Sequence, residues 1–161
     1  MLDDPQFVDG HSTEAVERIV LLTGKIYYDL VKERATRPAA AQSKVAFIRI
    51  EELAPFPFQH LKDTLARYGG NHVREVCWLQ EEPRNQGAWT HVAPRIRAVL
   101  EQLEQSGDAI VDGAIGGGST SSAEVQLRYI GRKEDAVPAV GVGKVYKAQQ
   151  NAVVHAAFEG L

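Results

Sequence analysis

Two short stretches hold the side chains best suited to bind or react. The first is Leu22-Thr-Gly-Lys-Ile-Tyr-Tyr28. Thr23, Gly24 and Lys25 follow an apolar run and precede a helical pattern, so they read as a strand-to-helix turn. Free backbone N–H groups and the helix dipole at such a turn favour an anion, and Lys25 would add a charge. The GxxxxGK[ST] spacing of a phosphate-binding P-loop is absent, and a purely structural turn accounts for the same residues. The second stretch is Gln80-Glu-Glu-Pro-Arg-Asn-Gln-Gly-Ala-Trp89. Glu81 and Glu82 look like paired carboxylates, but neighbours on a strand end point to opposite sides. They cannot flank one substrate as an acid–base pair does. One of them is expected at an interface, or as the N-cap of the following helix. Gln80, Asn85, Gln86 and Trp89 suggest hydrogen bonding across a contact rather than proton transfer.

Other chemistries have little support. The single cysteine, Cys77, excludes an internal disulfide and any multi-cysteine metal site. It lies in the apolar run Val76-Cys-Trp-Leu79 and reads as a core thiol, since reactive thiols need an exposed, electropositive setting. The five histidines, His11, His60, His72, His91 and His155, are scattered without ligand spacing. No G-x-S-x-G elbow occurs. Gly141-Val-Gly143 lacks the third glycine of a dinucleotide fingerprint and reads as a loop. Arg128, Arg132 and Lys133 form a basic cluster at a strand end, either a solvated rim or a contact for an acidic partner or a nucleotide phosphate.

The elements that must position these residues follow from periodicity. Strands are expected over 18–23, 44–50, 73–80 and 125–130, as runs rich in β-branched residues bounded by Gly or Pro. Helices are expected over 25–36, 58–68, 88–103 and 144–158, each with an apolar stripe. Such alternation predicts an α/β fold with three layers, a mostly parallel sheet covered by helices on both faces. Residues 1–15 read as a linker or tail and residues 16–161 as one domain. A flexible Gly/Ser-rich loop is expected over 105–124. Ligands of such sheets gather outside the carboxyl ends of the strands, which selects Thr23, Gly24, Lys25, Arg49, Gln80, Glu82, Asn85, Gln86 and Trp89 as candidate effector or interface residues. Exposed aromatic and proline-rich loops are common at interfaces, so Phe56, Phe58 and Trp89 are expected on the surface.

Composition limits the classes. The chain has 161 residues, 44% hydrophobic and 24% charged, with net charge −3, which suits one globular domain with its own core. The slight acidity argues against a nucleic-acid surface. No apolar stretch approaches the roughly 20 residues of a membrane span. The acidic start, Met1 to Gly10, resembles neither a secretory signal nor a transit peptide, and is expected of a fragment of a larger enzyme with no complete active site of its own.

Four stretches together resemble one family: Thr23-Gly-Lys-Ile-Tyr-Tyr-Asp29, Arg49-Ile-Glu-Glu-Leu-Ala-Pro-Phe-Pro57, Trp78-Leu-Gln-Glu-Glu-Pro-Arg-Asn-Gln-Gly-Ala-Trp89, and Arg128-Tyr-Ile-Gly-Arg132 with Pro138-Ala-Val-Gly141. Their order is similar to the carboxy-terminal, transketolase-like third domain of the thiamin-dependent 2-oxoglutarate dehydrogenase component. The resemblance implies a homodimeric enzyme that uses thiamin diphosphate and Mg²⁺ to decarboxylate 2-oxoglutarate. It passes the succinyl group to lipoyl-lysine of an acyltransferase. On that view cofactor and catalytic residues lie in preceding domains, and no Gly-Asp-Gly…Asn motif occurs here. The domain is expected to support packing and dimerisation, and in some members it borders an AMP or acetyl-coenzyme A effector site. The alternative is a separate regulatory module binding such an effector. The implied compartment is the mitochondrial matrix in a eukaryote, favoured here, or the cytoplasm in a bacterium. The Gly/Ser-rich loop is longer than in compact bacterial members.

Overall fold

A computed structural model describes residues 1–8, 12–69, 72–107 and 127–161. Among them are strands β1 (Arg18–Leu22), β2 (Val45–Arg49), β3 (Glu75–Pro83) and β4 (Leu127–Arg132). The helices are α1 (Ile26–Ala35), α2 (Ala39–Gln42), α3 (Phe58–Ala66), α4 (Trp89–Gln105) and α5 (Gly143–Ala156). All strand pairings between these elements are parallel, in the order β2-β1-β3-β4. The fold is the expected three-layer α/β arrangement.

Alternation along the strands builds two cores, because successive side chains leave opposite faces. Ile19, Leu21, Ala46, Ile48, Val76 and Trp78 turn towards α3 and α4, where they meet Leu61, Leu65, Val92, Ile96 and Val99. Val20, Leu22, Val45, Phe47, Cys77 and Leu79 turn to the other face and meet Ile26 and Leu30 of α1 and Val153 and Val154 of α5. A strand buried on both faces has no polar side to show, which is why β1 reads as an unbroken apolar run.

Two features depart from the sequence expectation. Residues 1–8 do not hang free but fold over the β2 edge. Leu2 pairs antiparallel with Arg49, and Phe7 packs edge-on against Tyr68. Asp4 is fully buried. Its carboxylate accepts from both terminal nitrogens of Arg34, at 2.5 and 3.1 Å, and from the backbone N–H of Phe47 at 2.8 Å. Secondly, β3 continues past Gln80 to Pro83, with a register shift against β4 between Leu79 and Pro83. Residues 108–124 of the expected Gly/Ser-rich loop lie outside the described residues. No helix of the described residues is long and apolar enough to cross a membrane.

Candidate functional site

The strand order reverses at β1: the chain steps from β1 to β2 on one side and then to β3 on the other. The crevice outside the carboxyl ends of β1 and β3 is therefore the switch point of the sheet. Thr23, Gly24 and Lys25 form one lip, Arg49 flanks it on β2, and residues 80–89 form the other lip.

At the first lip, Gly24 adopts φ +78°, a conformation glycine enters without steric cost. Its N–H donates to the Glu51 carboxylate at 3.2 Å, so a carboxylate of the same chain already sits at the anion position of the turn. Lys25 donates to Glu81 at 2.7 Å. This hydrogen bond raises the lysine pKa above its ordinary value. Arg49 faces Glu51 at 3.7 Å and stacks over Tyr27, its guanidinium carbon 4.1 Å from the ring centre. Glu81 also accepts from Gln150 of α5 at 2.9 Å, and the same amide reaches Asp29 of α1 at 3.1 Å. Arg132 donates to the Gln150 side-chain oxygen Oε1 at 3.3 Å and lies over the Tyr146 ring.

At the second lip, Gln80 turns inward and is buried. Its amide nitrogen donates to the carbonyls of Glu82, Pro83 and Gln86, at 3.3, 3.1 and 2.8 Å. Its oxygen accepts from the Trp78 indole at 3.0 Å and from the Trp89 backbone N–H at 2.9 Å. The start of α4 is thus capped by Gln80, not by Glu81 or Glu82, and Gln80 shapes the lip from beneath. Gly87, at φ +64°, completes the turn: a Cβ there would lie 2.9 Å from the Gln80 amide nitrogen and 3.0 Å from Glu82. Glu81 turns towards α1 and α5 and Glu82 towards the 83–87 turn, as neighbours on a strand end must.

Trp89 is 7% exposed, Phe56 9% and Phe58 43%. The expected surface aromatics reduce to Phe58. Trp89 packs on Tyr129, with ring centres 5.1 Å apart, because the start of α4 tucks under the extended end of β3. Asn85 and Gln86 stay near the surface and both donate to the carbonyl of Asp135, at 2.9 and 3.1 Å.

The basic cluster of β4 is divided between the two ends of the sheet. Arg128 joins Arg18 around Glu75 at the amino ends of the strands, and both guanidiniums also reach main-chain carbonyls at the end of α5. Cations at helix carboxyl ends satisfy carbonyls that have no partner within the helix. Arg132 lies at the opposite end, about 13 Å away along the strand, and Lys133 is exposed beyond it.

No nucleophile–base arrangement emerges among the described residues. Burial, then the neighbouring Glu75 carboxylate, push the Cys77 thiol up to about 12. His91 contacts the Leu53 carbonyl at 3.1 Å, and His155 lies 3.8 Å from Glu33. No three His, Cys, Asp or Glu side chains among the described residues group so as to hold a metal ion. Sequence reading missed Glu51, Asp29, Gln150 and Tyr146. Helical spacing places the last two on α5, but nothing local brings them to the crevice.

Comparison with known proteins agrees with this architecture. The family model described as 2-oxoglutarate dehydrogenase C-terminal matches residues 1–158. The chain is 36% identical over 154 residues to the 2-oxoglutarate dehydrogenase E1 component of Shouchella clausii, covering 96% of this chain and 14% of that protein. It is 35% identical over 151 residues to the corresponding component of Azotobacter vinelandii, covering 94% and 14%. A probable 2-oxoadipate dehydrogenase complex component E1 homolog of Dictyostelium discoideum is 30% identical over 158 residues, covering 98% and 14%. The chain thus spans about a seventh of the length of these curated relatives. With the family model matching nearly end to end, this chain belongs to the 2-oxoglutarate dehydrogenase C-terminal family.

Proposed function

We propose that this chain acts as the non-catalytic third domain of a thiamin diphosphate-dependent 2-oxoglutarate dehydrogenase, where it packs against the other domains and supports the homodimer. The whole enzyme would oxidatively decarboxylate 2-oxoglutarate and pass the succinyl group to lipoyl-lysine of its acyltransferase. The observation that carries this reading is the internally matched crevice. Lys25 is paired with Glu81, Arg49 with Glu51, and the Gln80 amide is engaged at both ends by its own loop. Such a surface can shape a contact but offers no group poised to transfer a proton or attack a substrate. The residues of this chain also do not fit thiamin diphosphate and Mg²⁺. The Gly-Asp-Gly…Asn motif is absent from the sequence, and no three His, Cys, Asp or Glu side chains among the described residues group as metal ligands. That cofactor belongs to other parts of the enzyme.

Sedimentation velocity of this chain, mixed with the Azotobacter vinelandii E1 component truncated of its matching region, tests the packing role. Co-sedimentation is expected, weakened by Phe58→Ser. Separate boundaries at micromolar concentration would refute it. A stand-alone sensor of AMP or acetyl-coenzyme A is the lesser reading, because Lys25 and Arg49 already face Glu81 and Glu51. Calorimetric titration with both ligands decides it: saturable binding lost on Lys25→Ala or Arg49→Ala would establish the sensor.

A further inference from the structure

We propose that residues 136–142 form a strap whose position beside the outer edge of β4 is set by a latch of Asn85, Gln86 and Asp135. Between the end of β4 and the start of α5 the backbone has no helix or strand. The run Ala136-Val-Pro-Ala-Val-Gly-Val142 carries no charge. Val137 and Val142 are 52% and 60% exposed, high values for apolar side chains in so small a protein. Together with β4 and the second half of α5 the strap walls a groove of about 440 Å³, lined by Ile130, Val137, Pro138, Val140 and Val153. Among the described residues β4 pairs only with β3, so the groove runs along its outer edge.

The near end of this strap is tethered through Asp135. Asn85 and Gln86 both donate to the Asp135 carbonyl, at 2.9 and 3.1 Å, and the Asp135 N–H donates back to the Asn85 side-chain oxygen at 3.1 Å. The Asp135 carboxylate in turn accepts from the Val137 N–H at 3.1 Å, which stiffens the first turn of the strap. At its far end the Val142 carbonyl accepts from the Tyr146 N–H at 2.9 Å and joins the strap to the first turn of α5. Between these two attachments no residue of the strap belongs to either core. The amides that latch it belong to the lip between β3 and α4. A partner that took the Asn85 and Gln86 side chains for its own hydrogen bonds would release Asp135 and the strap together. This use of the latch rests on the proposed packing role, but the latch itself does not.

Hydrogen exchange read by mass spectrometry on the 161-residue chain tests it. In the double variant Asn85→Ala, Gln86→Ala, the Asp135 and Val137 amides, which donate to the Asn85 and Asp135 side chains, are expected to exchange roughly tenfold faster, with β1 and α4 unchanged. Unchanged exchange of Asp135 and Val137 in the double variant would overturn the latch. So would an equal rise across β3 and α4, since the two amides would then hold the lip rather than the strap. Failure of the strap to respond, with co-sedimentation of the truncated enzyme intact, would remove the latch and leave the packing role standing.

Discussion

Gln80 shows how one side chain can decide the geometry of a lip without facing the solvent. Its amide joins five partners within the chain. Gln80→Ala leaves a buried indole N–H, a helix-start N–H and the Gln86 carbonyl without partners, and is expected to cost about 2–4 kcal/mol in urea unfolding. The same substitution is expected to weaken assembly only through that loss of stability. Gly87→Ala meets both a positive φ and a contact under 3 Å, and is expected to cost about 1–3 kcal/mol in the same experiment. Cys77 is expected to resist Ellman's reagent at pH 8 in the native state and to react on unfolding, because burial and Glu75 hold its pKa near 12. Tyr129 is pushed to about 12, chiefly by burial. Both groups keep their protons in the fold at a pH where the unfolded chain releases them. The stability they lend is therefore complete below pH 9 and is lost as pH rises towards 12. Thermal midpoints measured between pH 8 and pH 11 should fall accordingly. At this scale the sequence was least informative. Cys77 was legible as core because its neighbours are apolar, whereas the Lys25–Glu81 and Gly24–Glu51 contacts depend on which strand ends become neighbours.

Strands and helices were far more legible than side-chain partners. The apolar runs at 18–22 and 45–49, rich in β-branched residues and too short for a typical helix, read as buried strands, and the Val92, Ile96, Val99 and Leu103 stripe fixes α4. The extension of β3 to Pro83 was hidden because Glu81, Glu82 and Pro83 look like loop. The Gln80 cap and the Tyr129 hydroxyl bonded to the Glu82 carbonyl hold them extended. The opening segment was hidden for a similar reason. Acidic residues near a terminus suggest a solvated tail, yet Asp4 finds a buried guanidinium on α1, 30 positions away in sequence. Asp4→Ala strands Arg34 in a low-dielectric site and is expected to cost about 3–5 kcal/mol. Removing residues 1–7 should be at least as damaging. Tails without contacts would leave the urea midpoint unmoved.

For the whole molecule, a parallel sheet with helices on both faces brings the turns after β1 and β3 to one crevice, and the ionic pairs found there neutralise one another. The amino-end cluster of Arg18, Glu75 and Arg128 closes the opposite end of the sheet against α5. Among the described residues the exposed large apolar side chains include Tyr28, Phe58 and, on the strap, Val137 and Val142, which suits a domain that works by contact. The direct test of that account is complementation. The Azotobacter vinelandii E1 component lacking its matching region would be assayed for 2-oxoglutarate-dependent ferricyanide reduction, with and without this chain added in trans. The account predicts no activity from this chain alone and a rise in activity of the truncated component when the two are combined. Turnover by this chain alone, or a truncated component equally active without it, would contradict the account.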